Sequence, residues 1–235
     1  MIRVDRAELT RNEIIRVAAN RFLNDGYTKT TVASMAKTLS MSTGNMTFHF
    51  PTKDHMLCEL VDLFGKYQWK MMEDETKDGC SSVTAMCLEL LTIASSCEQD
   101  EVAKDFFLST YQSELCMELI RKNDKEKAKA VFVEYCTDWT EEDFEEAETL
   151  VSGIEYATLL TTTYSPPLNV RVSGALKTIL SIYNVPKEIS DQKVKEVLSM
   201  DYKRLGYDTL KKFRKYVDKT TEQALHDLLK RKQTI

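Results

Sequence analysis

Apolar residues recur along this chain at helical spacing. Over 10–24 they fall at Ile14, Val17, Ala18 and Phe22, one stripe of an amphipathic helix. Asp25-Gly26 ends the stripe, with Gly26 placed to take a left-handed cap. Thr30-Thr31 then offers a hydroxyl to the free amides of a second helix, whose buried face is Val32, Met35, Ala36 and Leu39. Ser40-Met41-Ser42 leads into "STGNMTFHF", a short element with Ser42 as its candidate N-cap. Met46 and Phe50 share one face of it, while Thr43, Asn45, Thr47 and His49 are free to look outward.

A fourth helix is expected over 54–72, with Leu57, Leu60, Val61 and Phe64 as its apolar stripe. Further helices are expected near 81–97, 101–121, 124–138, 141–163, 168–183, 188–199 and 203–231. Thr140-Glu-Glu-Asp143 reads as a helix start, with acids gathered where the helix dipole favours them. Pro166-Pro167 interrupts the chain before the helix of Val172, Ala175, Leu176 and Ile179. The last helix carries Leu210, Phe213, Val217, Ala224 and Leu228 on one face and many lysines on the other. With only 7 Gly and 4 Pro in 235 residues, the chain lacks the punctuation of a turn-dense β fold. The expected fold class is all-α.

A longer helix followed by two short ones joined by a tight turn is the helix-turn-helix arrangement. There the second short helix enters the DNA major groove, and its early residues meet base edges. A polar outward face on 43–49 fits a nucleic acid as its partner. The segment "TRNEIIRVAANRFLNDGYTKTTVASMAKTLSMSTGNMTFHFPTKDHML" closely resembles the DNA-binding segment of TetR-family transcriptional repressors. The resemblance covers roughly 10–57. It rests on I-x-x-A-A-x-x-F in the first helix, Gly-Tyr-x-x-Thr-Thr-Val entering the second, Ser-x-Gly entering the third and His-Phe-x-x-Lys leaving it. Two positions depart from the family pattern. Ser40 stands where glycine is usual, and Thr47 stands where a phosphate-contacting tyrosine is usual.

The resemblance implies a helix-turn-helix DNA-binding domain over 1–55 and a larger helical effector-binding and dimerisation domain over 56–235. It implies phosphate contacts from Thr31, Thr47, His49 and Lys53, and places Thr43, Asn45 and Phe48 nearest the bases. Asparagine can pair with adenine, and Phe or a threonine methyl can pack on a thymine methyl. Gly44 would let the backbone approach closely. One such unit offers few contacts, so a homodimer on a palindromic double-stranded operator is expected. The family uses two late helices per subunit as the dimer interface. Here that pair carries Gly153, Ala157 and Leu160, then Val172, Leu176 and Ile179, although ordinary packing within one subunit would use the same spacing. The family also implies a small-molecule effector cavity whose occupation releases DNA. Trp69, Met72, Met86, Phe107, Tyr111, Tyr135, Trp139 and Tyr156 are the large adaptable side chains that could line it, or could simply fill the core.

Charge is uneven. Residues 1–57 hold eight Lys/Arg against five Asp/Glu, 58–184 hold 11 against 24, and 203–232 hold 10 against 4. Basic ends on an acidic body suit contact with a polyanion and leave the body open to a cationic or amphipathic ligand, though solvated faces account for the acids equally well. Cys58, Cys80, Cys87, Cys97, Cys116 and Cys136 show no metal-ligand spacing and read as reduced thiols, so no metal or cofactor is expected. No secretory signal opens the sequence, and no run reaches the roughly 18 apolar residues of a membrane span, so a cytoplasmic protein is expected. No phosphate loop, nucleophile elbow or HExxH occurs, and three histidines suggest no catalytic arrangement, so an enzyme is not expected. The expected function is a DNA-binding repressor released by an effector. The alternative is a helical ligand-binding protein with a weakened DNA-binding head.

Overall fold

A computed structural model describes residues 6–76 and 83–233, with side chains as far as 223. Cys80, and the side chains of Ala224, His226 and Leu228, lie outside the described residues. Those residues form eleven α-helices and no strand. The head comprises α1 (Arg6–Asn24), α2 (Val32–Thr38) and α3 (Thr43–His49). Its core is Ile14, Ala18, Phe22, Met35, Met46 and Phe50, all buried, which are the residues on the stripes of the three helices. Local chemistry sets each boundary. Gly26 has φ 98° after α1. Thr31 caps α2 in a reciprocal box with Ser34, and the Ser42 hydroxyl accepts the Asn45 amide 3.1 Å away.

The next helix, α4 (Lys53–Thr76), leaves the head for the body, so the expected domain boundary at 55/56 falls inside its first turn. At the body's centre lies α5 (Val83–Gln99), buried on nearly every side, as a helix apolar all round must be. Around it pack α4, α6 (Glu101–Gln112), α8 (Glu141–Leu159), α9 (Leu168–Ile182), α10 (Lys187–Ser199) and α11 (Tyr202–Gln233), while α7 (Glu114–Val131) bridges α4 and α8.

Several expected boundaries move: α4 runs on to Thr76, α8 stops at Leu159 short of 163, and two breaks shift. The break falls at Ser113 instead of near 122–123, and α7 runs unbroken to Val131. Ser113 is extended there, and its hydroxyl lies 3.4 Å from Asp54 of α4, a contact from distant sequence. The polar Lys122-Asn123 stretch stays helical, and the Asn123 amide donates to Asp62 at 3.1 Å. Residues 132–139 turn instead of continuing a helix. Phe132 is drawn into the core, where it stacks on Tyr183 with ring centres 4.1 Å apart.

Candidate nucleic-acid interface and body cavity

The outward face of the head is built from the short helix α3. Thr43, Gly44, Asn45 and Thr47 are exposed, and the Phe48 ring is 78% exposed. Thr31, exposed at the start of α2, stands with them. Beneath this face Met46 and Phe50 anchor α3, and Arg11 of α1 lies over the Phe50 ring at 4.1 Å. Arg11 also donates to the His49 carbonyl at 3.2 Å and pairs with Glu59 at 2.5 Å, so it fastens the end of α3 to α4. His49 itself is half-buried, with its ring edge-on to Phe48.

The turn between α2 and α3 requires a left-handed residue, and Ser40 supplies it at φ 52°. The resulting geometry brings the Met41 amide to the Ala36 carbonyl at 3.0 Å. The turn therefore has the shape that glycine would favour, with serine carrying the strain. A Cβ on Gly44 would meet only the Ser42 oxygen at 4.0 Å, so the free protein does not require glycine there.

Two expected phosphate contacts are engaged within the head. The Lys53 ammonium donates to the carbonyls of Tyr27 and Thr30 at 2.9 and 3.1 Å and sits 3.9 Å over the Tyr27 ring, and burial lowers its pKa. The Thr47 hydroxyl donates to the Gly44 carbonyl at 3.2 Å. The turn between α1 and α2 is also tied to the body. Asp105 of α6 accepts from the Thr28 amide at 2.8 Å and from the Thr28 hydroxyl, against the bare backbone of Gly26.

In the body, α4 to α9 surround a cavity with ≈ 120 Å³ open to the centre of a water-sized sphere. Met86, Phe107 and Tyr111 line it, as expected. Trp69, Met72, Tyr135, Trp139 and Tyr156 do not. Met72 is fully buried, Trp139 packs on Phe144 and Tyr183, and Tyr156 lies behind Tyr111. Trp69 faces the Lys127 ammonium at 5.1 Å, and Tyr135 packs half-buried on the core.

Sequence reasoning missed the polar half of the wall, which is Glu89, Asp124, Lys127, Glu148, Glu155 and Tyr183. Lys127 pairs with Glu89 at 2.9 Å and Asp124 at 3.1 Å. Burial alone would lower its pKa, and the two carboxylates more than reverse that. Glu148 is 3% exposed and accepts from the Tyr183 hydroxyl. Burial, then the charge of Asp124, pushes its pKa up to about 7. Glu155 accepts from Tyr111 at 3.1 Å, and burial with its acidic neighbours raises it well above the carboxylate range. A sequence signal did exist. Phe144, Glu148, Val151 and Glu155 follow the i, i+4, i+7, i+11 progression, which puts two acids on an apolar stripe of α8.

The expected interface residues divide between two faces. Gly153 and Ala157 are exposed on α8 beside Leu160 and Leu150, the last 52% exposed. Val172, Leu176 and Ile179 are buried instead, because α9 turns that stripe onto its own body, and Leu176 and Ile179 line the cavity. The outer face of α9 is Val170, 56% exposed, with Gly174 and Thr178. A Cβ on Gly153 or Gly174 would meet nothing within 4 Å. Small and apolar residues thus lie open along two adjoining helices.

These features define an all-α protein with an N-terminal helix-turn-helix and a cavity-bearing helical body. No family model matches the chain. Over 68 residues it is 29% identical to the HTH-type transcriptional regulator QacR of Staphylococcus aureus, a match covering 28% of this chain and 36% of that protein. The chain therefore spans about a third of the length of the curated relative it matches. Among solved structures, a gamma-butyrolactone receptor described as ArpA-like is 19% identical, with a TM-score of 0.43 over 87% of this chain and 99% of the other. TylP, a TetR regulator from Streptomyces fradiae, is 15% identical, with a TM-score of 0.45 over 83% and 92%. AmtR of Mycobacterium smegmatis is 18% identical, with a TM-score of 0.36 over 81% and 94%. The N-terminal motifs and the helix-turn-helix geometry resemble the DNA-binding segment of TetR-family regulators, and the likeness to QacR covers part of the chain. Among the described residues, no helix is long and apolar enough to cross a membrane.

Proposed function

We propose that the protein is a transcriptional repressor that binds a palindromic operator as a homodimer and is released by a small molecule held in the body cavity. The observation that carries this reading is the outward face of α3. Phe48 stands in solvent beside Asn45 and Thr43 while the opposite face is fully buried. An exposed aromatic among amide and hydroxyl groups suits thymine methyls and base edges in a major groove. Thr31, Thr47 and His49 would position the head on phosphates, and Gly44 leaves the backbone open to approach. Lys53 would act indirectly by holding the turn between α1 and α2. The open faces of α8 and α9 are the dimer surface, centred on Gly153, Ala157, Leu160 and Gly174 rather than on the buried stripe of α9. Coupling would run through α6, where Asp105 grips the head's turn and the next two residues, Phe106 and Phe107, line the cavity. A non-enzymatic role accords with the regulator name of the curated relative.

The test is selection from a random duplex library by the purified protein, with an Asn45→Ala, Phe48→Ala double variant alongside. A palindromic consensus enriched by the parent and lost in the variant is expected. A folded parent that enriches nothing at moderate salt would refute the reading. That result would favour a ligand-binding protein with a weakened head, in which Lys53 and Thr47 serve only the inward bonds they make.

A further inference from the structure

We propose that the body cavity takes an organic cation of about one aromatic ring, an arylalkyl ammonium, with its charge met by Glu148 and Glu155 of α8. The inference deepens the reading of this cavity as an effector site. Among the described residues, Lys127 is the one cation in the cavity wall, against four carboxyl groups. Lys127 is fully engaged by Glu89 and Asp124. Arg121 nearby gives its Nε to the Ser152 hydroxyl at 3.0 Å. Glu148 and Glu155 are left without a cationic partner among the described residues. Each receives one tyrosine hydroxyl on one oxygen, Oε1 of Glu148 from Tyr183 and Oε2 of Glu155 from Tyr111. The other oxygen of each has no hydrogen bond from a described residue. Glu148 is buried and Glu155 half-buried, and a ligand can supply the cation that each lacks.

The rest of the wall sets the ligand's body. Phe64, Phe106, Phe107, Leu176 and Ile179 supply apolar wall beside the acids. The volume of ≈ 120 Å³ is close to the roughly 150 Å³ of an engineered apolar cavity that binds benzene, so one ring fills it. Two carboxyl groups seven residues apart on one helix are about 10 Å apart along its axis, so an ammonium between them can engage either one. An anion would meet four acids and one already paired lysine.

Burial and neighbouring acids raise the pKa of Glu148 to about 7 and raise that of Glu155. A bound cation favours the ionised form, so its entry expels a proton. The groups facing the pair are Tyr111 of α6, Arg121, Asp124 and Lys127 of α7, Glu89 of α5, and Tyr183 after α9. None of the six is a histidine, and Asp124 and Glu89 are both paired with Lys127.

The test is calorimetry on the full chain with three isosteric probes, benzylammonium, benzyl alcohol and benzoate, at pH 6 and 8 in buffers of different ionisation enthalpy. Benzylammonium is expected to bind about tenfold or more tighter than benzyl alcohol, with benzoate weakest. At pH 6 its binding is expected to release a proton, and less of one at pH 8. A Glu148→Gln, Glu155→Gln double variant should lose the preference for the cation while keeping benzyl alcohol. Benzyl alcohol binding as tightly as the cation, or no binding of benzylammonium, overturns the proposal on the parent protein alone, whether or not the variant folds. The effector reading is judged separately on the selected operator. Benzylammonium that binds without displacing operator leaves the ligand class standing and sinks release. Displacement by benzyl alcohol but not by benzylammonium does the reverse.

Discussion

Replacing Glu148 by glutamine should make the protein more stable, by an amount that grows as pH rises from about 4.5 to 7. Glutamine keeps the shape, and its carbonyl oxygen can still accept from Tyr183. It removes only the capacity to ionise. A carboxyl titrating at about 7 in the folded chain and near 4.5 in the unfolded one binds its proton more tightly when folded. Its contribution is therefore fully present below pH 4.5 and is lost as pH rises through 7. The total loss is about 3 kcal/mol, of which roughly 2.5 kcal/mol falls between pH 5 and 8. Urea unfolding of parent and variant at pH 5, 6, 7 and 8, at one protein concentration, reads this group together with its effect on Glu155, whose own pKa the Glu148 charge helps to raise. The variant should be the more stable at every pH tested, and its advantage should widen by that amount between pH 5 and pH 8. Parallel curves across the range would refute the raised pKa of Glu148. A variant less stable at every pH would show that the carboxyl makes a contact that an amide cannot replace.

Three further outcomes follow from the geometry. Phe48→Ala should leave the unfolding midpoint unchanged, since the ring is exposed, while weakening operator binding about tenfold in a gel-shift assay. Ser40→Gly relieves a left-handed serine and should raise stability by about 0.5–1 kcal/mol, read by the same urea titration. Gly153→Arg puts a charge on the open face of α8, where a monomer has room for it; sedimentation should find the dimer lost and the helical circular dichroism kept.

Features decided by a few neighbouring residues could be read from the sequence. The starts of α2, α3 and α8 lie where Thr31, Ser42 and Thr140 place a hydroxyl beside a free amide. The positive φ at residue 40 follows from the turn, whichever residue occupies it. Features decided by distant contacts could not be read. The break at Ser113 depends on Asp54, and no local composition marks it. Periodicity shows that Val172, Leu176 and Ile179 share a face but not whether that face meets its own chain or a second one, and it meets its own. Of the large side chains that could line the cavity, Trp69, Met72, Tyr135, Trp139 and Tyr156 lie outside its wall. Its chemistry lies in two glutamates on an apolar stripe, a local anomaly that counting large side chains passes over.

The last helix packs against the first. Along α11, Asp218 lies 3.4 Å from Asn20, and Arg214 donates to Asn24 of α1. Upstream on the same helix, Gly206 lies so close to α5 that a Cβ would come within 2.6 Å of the Thr92 carbonyl. Phe213 packs edge-on to Phe64 of the cavity wall. During synthesis the reading head is therefore made first and moored last. At about 5–20 residues per second, the 152 residues between α3 and α11 put on the order of ten seconds between the two events. In that interval a nascent chain carries a head whose bearing on the body is set by α4 and α6 alone. A protease that cuts just ahead of Tyr202 would return a finished molecule to that condition, with the cavity's lining residues, which end at Tyr183, still in one piece.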